Sequence, residues 1–279
     1  MASTPQTLEV PGYQVMQFLG SGARSTIWQI RNRRDGELYA LKRVVRRHAA
    51  DYRFLEQAIN EYRVALNFTH PVVRRIYNMR RVKRWLALRE IHLVMEMCQG
   101  HTVQDRRPKS VAEVVRIFIS VADGLAYMNA RGYIHADTKP NNIIVAPDGA
   151  VKIIDLGQSC PSGTLKQRIQ GTPDFIAPEQ VRRQPINAQT DVFNFGAALY
   201  WTLTGRPIPT VLPKKTGMTF INDLVIVPAE KINPQVPSSL SKLVKDCVEI
   251  QPSRRPQSLD EVGTRLAAIA HALNRSDGS

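Results

Sequence analysis

His135-Ala136-Asp137-Thr138-Lys139-Pro140-Asn141-Asn142, followed downstream by Asp155-Leu156-Gly157, is the stretch on which the reading of this chain turns. Moving a phosphoryl group asks little covalent chemistry of a protein. It asks for a carboxylate that orients the attacking hydroxyl, a cation for the transferred group, and two oxygen ligands for a divalent metal. Asp137, Lys139, Asn142 and Asp155 supply that set in that order. Any one of them alone is an ordinary polar loop residue; order and spacing carry the information.

Around this stretch the pattern predicts short strands at 142–145 and 151–154, joined by the turn residues Pro147-Asp148-Gly149, which leave the chemistry on loops. Before it, Val114, Ile117, Phe118, Val121, Leu125 and Met128 recur at helical steps between a capping Ser110 and a terminating Gly132. After Asn187 the chain reads as helical, with a proline-rich irregular connection over 207–237. The first hundred residues differ: runs at 13–19, 26–31, 38–45, 75–82 and 87–95 read as strands between Gly and Asp-Gly turn signals. One amphipathic helix interrupts them over 51–68, where Phe54, Leu55, Ala58, Ile59, Tyr62, Ala65 and Leu66 fall at three- and four-residue steps. Residues 1–12 read as a flexible lead-in and 271–279 as a frayed tail.

With 279 residues, 43% apolar and 22% charged, the chain is globular and fits one large two-lobed domain. No leader-like N-terminus and no apolar run long enough to span a bilayer stands out, so the expected location is the cytoplasm. Cys98, Cys160 and Cys247 are odd in number and widely spaced, which argues against a disulfide framework and a zinc site. The net charge is +14, with a concentration at Arg74, Arg75, Arg80, Arg81, Lys83, Arg84 and Arg89, and pairs at Arg46-Arg47 and Arg106-Arg107. An acidic partner or an anionic surface fits this basic face as well as simple solvation does. No nucleic-acid module accompanies it, and no specific nucleic acid is expected.

Gly20-Ser21-Gly22-Ala23-Arg24-Ser25-Thr26-Ile27 lies between two predicted strands, which argues against a dinucleotide turn. It is either a plain tight turn or a hairpin whose amides approach phosphate oxygens. Lys42, on the third strand, has a candidate partner in Glu61, on the face adjoining the helix's apolar stripe; Glu56 is the alternative.

Taken together, these motifs resemble the eukaryotic-type (Hanks-type) serine/threonine protein kinase family over 13 to about 270. The resemblance implies an α+β bilobal kinase fold: a β-rich N-lobe with one main helix at 13–97, a hinge at 96–100 and a mostly helical C-lobe at 101–270. It implies an enzyme that transfers the γ-phosphate of ATP to Ser or Thr hydroxyls of protein substrates and of itself, with Mg2+, or Mn2+ in its place. Asp137 then resembles the base and Lys139 the γ-phosphate partner, while Lys42 would pair with Glu61 and meet the α and β phosphates. Asn142 and Asp155 resemble the metal ligands. The nucleotide would be held by Leu19, Gly20, Ser21, Gly22, Ser25, Ile27, Ala40, Lys42, Met95 as gatekeeper, Glu96, Cys98, Thr102, Asn142, Ile144 and Asp155. Gly171 to Glu179 resembles the end of an activation segment, Asp191 the aspartate that braces the catalytic loop, and Arg255 the partner of Glu179; His135 is a packed core residue. Lys139 and Thr172 resemble the serine/threonine branch, and Ala177-Pro178-Glu179-Gln180 resembles bacterial members, many of which continue into a membrane span and a sensor domain.

Four departures stand out. Ala136 replaces the arginine that in the family grips an activation-loop phosphate, so phosphorylation at Ser159, Ser162 or Thr164 should do little to order the loop. Ser25 replaces the third loop glycine and Leu156 the usual phenylalanine. Ala65, small where a larger apolar residue is common, suggests a loosely packed helix from which Glu61 swings outward in an autoinhibited state. The rival to an active kinase is a nucleotide-binding pseudokinase scaffold, whose usual mark is loss of one of the four chemical groups; all four are present.

Overall fold

The computed structural model describes residues 8–22, 24–209 and 226–276. Ala23 of the glycine stretch, 210–225 of the proline-rich connection, 1–7 of the lead-in and 277–279 of the tail lie outside them. The chain divides into two compact units, one formed by Met1–Thr69 and Arg74–Cys98, the other by His70–Val73 and Gln99–Ser279.

The first unit is a five-stranded antiparallel sheet in the order β1-β2-β3-β5-β4, built from β1 (Tyr13–Ser21), β2 (Ser25–Asn32), β3 (Leu38–Val45), β4 (Ile76–Arg84) and β5 (Ala87–Glu96), with α1 (Tyr52–Ala65) packed on β3 and β5. Ile91, Leu93, Met95 and Leu55 are fully enclosed between helix and sheet, while Leu41 is fully buried on the opposite face of the sheet. The helix is shorter than its apolar pattern predicts: Leu66 falls past its end and is 63% exposed. The lead-in is also tied down at its end, since Val10 is buried with Ile30, Leu41 and Val94. A single valine gains more from that apolar patch than from solvent.

The second unit comprises β6 (His101–Thr102), α2 (Val111–Ala130), β7 (Tyr133–Ile134), β8 (Ile143–Val145), β9 (Val151–Ile153), β10 (Cys160–Pro161), α3 (Pro178–Val181), α4 (Ala188–Thr204), α5 (Ala229–Ile232), α6 (Ser238–Cys247) and α7 (Leu259–Ser276). Ser110 caps α2 by accepting from Glu113 N at 3.1 Å, and Asn187 caps α4 through Gln189 N at 3.0 Å. Gly205 ends α4 at φ 71°, a left-handed stop that glycine takes without strain. Phe118 on α2 meets Phe195 on α4 edge-on at 5.2 Å, at the centre of the helical core. Two expectations change here. A helix, α5, forms inside the proline-rich connection, and α7 continues through Ser276 where a tail was expected from 271. Burial pushes the Cys160 thiol up and the Cys247 thiol up to about 12, so both are inert thiols with no disulfide partner.

Candidate active site

In the β-rich unit, strand register gathers the expected nucleotide residues. Lys42 stands opposite Ile27 on β2 and Leu93 on β5, and Ala40 opposite Met95. Alternation then puts Ile27, Ala40, Lys42 and Met95 on one face. Lys42 Nζ meets Glu61 Oε2 at 2.7 Å, and Glu61 is completely buried, inside the apolar stripe of α1 with Leu55, Ala58 and Val64. The alternative partner, Glu56, is exposed. The pair is closed here, against the expectation of an outward Glu61: Ala65 is itself buried, so its small side chain leaves the helix seated.

The charge pattern groups Arg74 with the basic face, but only a tenth of its side chain is exposed and its Nη2 lies 3.7 Å from Glu61 Oε1. That oxygen has no hydrogen bond. No sequence signal separates Arg74 from its exposed neighbour Arg75, because the turn of the chain into β4 decides which one points inward.

The glycine stretch forms the end of the β1–β2 hairpin, with β1 running on through Gly20 and Ser21, Leu19 as the extra residue of a bulge, and Gly22 N donating to Ser25 O at 2.8 Å. Gly20 needs neither a positive φ nor close packing, since a Cβ there would meet nothing within 4 Å. A glycine that the fold does not require fits close approach of a ligand to the backbone. At the end of β5, Glu96 N donates to Arg75 O at 3.0 Å, its Oε2 accepts from Arg75 N at 3.1 Å, and Cys98 Sγ donates to Glu96 O at 3.7 Å.

In the helical unit the quoted stretch is held from beneath by Asp191. Its Oδ2 accepts from His135 N at 2.9 Å and Asn129 Nδ2 at 2.8 Å, and its Oδ1 from Ala136 N at 2.8 Å. Burial pushes this carboxyl up from its ordinary range, and those donors oppose the shift. His135 is fully buried, its Nδ1 accepting from Asp137 N at 3.3 Å. Ala136 is held at φ 62° and Asp155 at φ 65°, left-handed conformations that cost on the order of 1–3 kcal/mol each and persist only when neighbours over-determine them. Gln180 is one such neighbour: its Nε2 donates to Ala136 O at 2.8 Å while its Oε1 accepts from Ala177 N and Asn194 Nδ2. Asn129, Gln180 and Asn194 had no sequence signal, being polar residues on helices whose partners are remote in the chain.

Asp137 Oδ2 accepts from Lys139 Nζ at 2.7 Å, and its Oδ1 accepts from the Thr172 hydroxyl at 3.0 Å and from Thr172 N at 3.2 Å. Lys139 Nζ also donates to Thr172 Oγ1 at 2.7 Å. Asn142 spends its Nδ2 on Asp137 O at 2.9 Å, which leaves its Oδ1 as the atom available to a metal. Asp155 accepts from Gly157 N at 3.4 Å. Among the described residues no group of three or more His, Cys, Asp or Glu forms a metal cluster. Two oxygen donors nevertheless suit magnesium, which keeps waters and substrate phosphates as its other ligands. Thr102 binds Asp105 through its hydroxyl at 2.7 Å, and Ile144 pairs with it across β6 and β8.

Ser159 is fully buried, its hydroxyl donating to His135 O at 3.3 Å, so it drops out as a phosphate acceptor in this conformation. Ser162 is exposed, and Thr164 is half-buried. In place of the missing arginine, the Ala136 methyl is buried with Ile134, Cys160 and Ile186. Glu179 and Arg255 form a buried bidentate pair at 2.7 and 3.0 Å.

The family model for the protein kinase domain matches residues 13–265. Among curated proteins, the chain is 29% identical to the serine/threonine-protein kinase PknL of Mycobacterium tuberculosis over 270 residues, 94% of this chain and 66% of that protein. It is 29% identical to a probable serine/threonine-protein kinase PknB of Bifidobacterium longum, covering 74% of this chain and 32% of that one. It is 27% identical to a probable serine/threonine-protein kinase of Clostridium acetobutylicum, covering 67% and 30%. The chain thus spans about a third to two thirds of the length of these relatives.

Proposed function

Since the chain belongs to the protein kinase family, as a catalytic domain of the Hanks-type serine/threonine class, we propose that it transfers the γ-phosphate of ATP to serine and threonine hydroxyls of proteins, its own included. The observation that carries this reading is the hydroxyl of Thr172, hydrogen-bonded at once to Asp137 and Lys139. An aliphatic hydroxyl, a carboxylate and an ammonium already share one small space. An acceptor Ser or Thr would approach the remaining lone pairs of Asp137.

In the reaction the acceptor oxygen attacks the γ-phosphorus, its proton passes to Asp137, the bond to the bridging oxygen breaks, and ADP leaves. Lys139 holds the transferred group. Lys42, oriented by Glu61, holds the α and β phosphates, while the hairpin of Leu19 to Ile27, with Ala40, Met95, Glu96, Cys98, Thr102 and Ile144, takes the rest of the nucleotide. Magnesium, held by Asn142 and Asp155, supplies positive charge to the phosphate oxygens when bound.

Control by loop phosphorylation is weak in this reading. Its support is the apolar seat of Ala136 and the neutral bonds that already order the segment: Ser162 N to Gly132 O at 2.8 Å, Gly163 N to Ile186 O at 2.8 Å and Ile186 N to Thr164 O at 3.2 Å. Of the three hydroxyls in this segment, Ser162 and Thr164 are the ones that autophosphorylation could reach, Ser159 being buried. We also read the basic face of the β-rich unit as facing an acidic partner or an anionic surface, in the cytoplasm.

The test is transfer of label from radioactive ATP to a protein substrate by the wild type, Asp137→Asn and Lys42→Met. Label lost in both variants is the expected result. No label above background from the wild type, with nucleotide still bound, assigns the chain to the scaffold class instead. Ser162→Ala with Thr164→Ala should keep turnover within about tenfold; a hundredfold loss ends the claim of phosphorylation-independent activity.

A further inference from the structure

The hairpin that joins β4 to β5 carries a feature that phosphotransfer does not use. Its turn is Trp85-Leu86, whose side chains are 93% and 97% exposed. Trp85 sits at φ 57°, at the first turn position, where two-residue hairpins with one left-handed residue ordinarily place glycine. A bulky residue in that region is strained, and strain of this kind is kept where function requires it. Full exposure means that the fold gains no burial from either side chain.

Immediately behind the tip the hairpin is cationic. Arg80, Arg81, Lys83 and Arg84 on β4 and Arg89 on β5 are all exposed, and none forms an ion pair among the described residues. The hairpin's own carboxylate, Glu90, is already taken by Arg43 Nε and Nη2, each at 2.7 Å, and by His92 at 2.8 Å. Arg84 and Lys83 stand one and two residues behind the tip, or about 3 to 7 Å along a strand.

We propose that the Trp85-Leu86 tip and its cationic stem dock the kinase domain on an anionic phospholipid surface. This rests on the reading of the basic face given above and commits it to one partner. The tip is convex and presents two apolar side chains, so a protein partner would have to supply the pocket. A bilayer needs none. Tryptophan settles at headgroup depth, its neighbouring leucine enters the acyl boundary, and cations set about 3 to 7 Å back meet the lipid phosphates. Opposite charge supplies the complementarity, consistent with a net charge of +14.

The test is co-sedimentation of the whole chain with vesicles of phosphatidylcholine alone and of phosphatidylcholine with phosphatidylserine, read together with tryptophan emission. Binding to the anionic vesicles only, with a blue shift, is expected. Trp85→Gly with Leu86→Ser should abolish it without lowering the melting temperature, because glycine suits the turn. Lys83→Ala with Arg84→Ala should weaken it about 25-fold, roughly fivefold per cation. None of these variants should alter label transfer to a soluble peptide, which separates this inference from the phosphotransfer reading. Vesicle binding unchanged in the tip variant overturns the proposal. Binding to polyglutamate but not to vesicles overturns it in favour of an acidic protein, and binding to neither overturns the reading of the basic face as well.

Discussion

Two buried carboxylates, Glu61 in the β-rich unit and Glu179 in the helical unit, meet cations in ways that differ instructively. Glu179 is saturated: both oxygens face Arg255, and one also accepts from Thr190 at 2.9 Å. Arg255 in turn donates to the carbonyls of Glu249, Gln189 and Ile250 and lies over the Phe193 ring at 4.9 Å. Glu61 is as deeply buried but under-satisfied, with one oxygen on Lys42 and the other near Arg74 without a hydrogen bond. A saturated buried pair is architecture, since every alternative leaves a charge unpaired. A buried carboxylate with an unspent oxygen is unusual enough to call for a reason, and the proposed role of orienting Lys42 toward the nucleotide phosphates would supply one.

Breaking the saturated pair should have the largest effect. Arg255→Ala leaves Glu179 buried and uncompensated, and the expected loss is about 3–5 kcal/mol of stability, read from the urea midpoint. Breaking the unsaturated pair should separate activity from stability instead: Lys42→Met is expected to lower turnover by about 10²- to 10³-fold while the midpoint moves by less than in Arg255→Ala. If Lys42→Met unfolds the chain as badly, the distinction between the two pairs fails.

Arg74→Leu sharpens the contrast from the other side. It should lower turnover by about two- to tenfold, because Glu61 keeps Lys42 and loses only a distant second cation. A loss as large as that of Lys42→Met would make Arg74 an equal partner. The smallest effect belongs to Glu90, where Arg43 holds the carboxyl down at about 2, well below the glutamate range. A depressed carboxyl pKa means that the stabilisation is fully present above about 4.5 and fades as pH falls toward 2. Acid titration of stability in Glu90→Gln should therefore be flatter across that window, by on the order of 1 kcal/mol, and flatter still in high salt.

Much of this molecule was legible in its sequence. The strands and long helices followed from alternation and three-to-four periodicity, because those patterns reflect which face of a local element is dry. Lys42, Asp137, Lys139, Asn142 and Asp155 stand out in the sequence as the set that the proposed phosphoryl transfer would need, because that chemistry asks for few residue types in a set order. The inward turn of Arg74, the burial of Ser159 and Val10, and the clamp of Asn129, Gln180 and Asn194 were not legible there. Each depends on which side chain a remote segment covers, as the apolar seat of Ala136 among Ile134, Cys160 and Ile186 shows. By itself the sequence determined the order of elements and the chemical inventory, since both are properties of spacing along the chain. Tertiary structure alone decided which of the charges are saturated, which are poised and which stand exposed, because desolvation is set by neighbours far away in sequence.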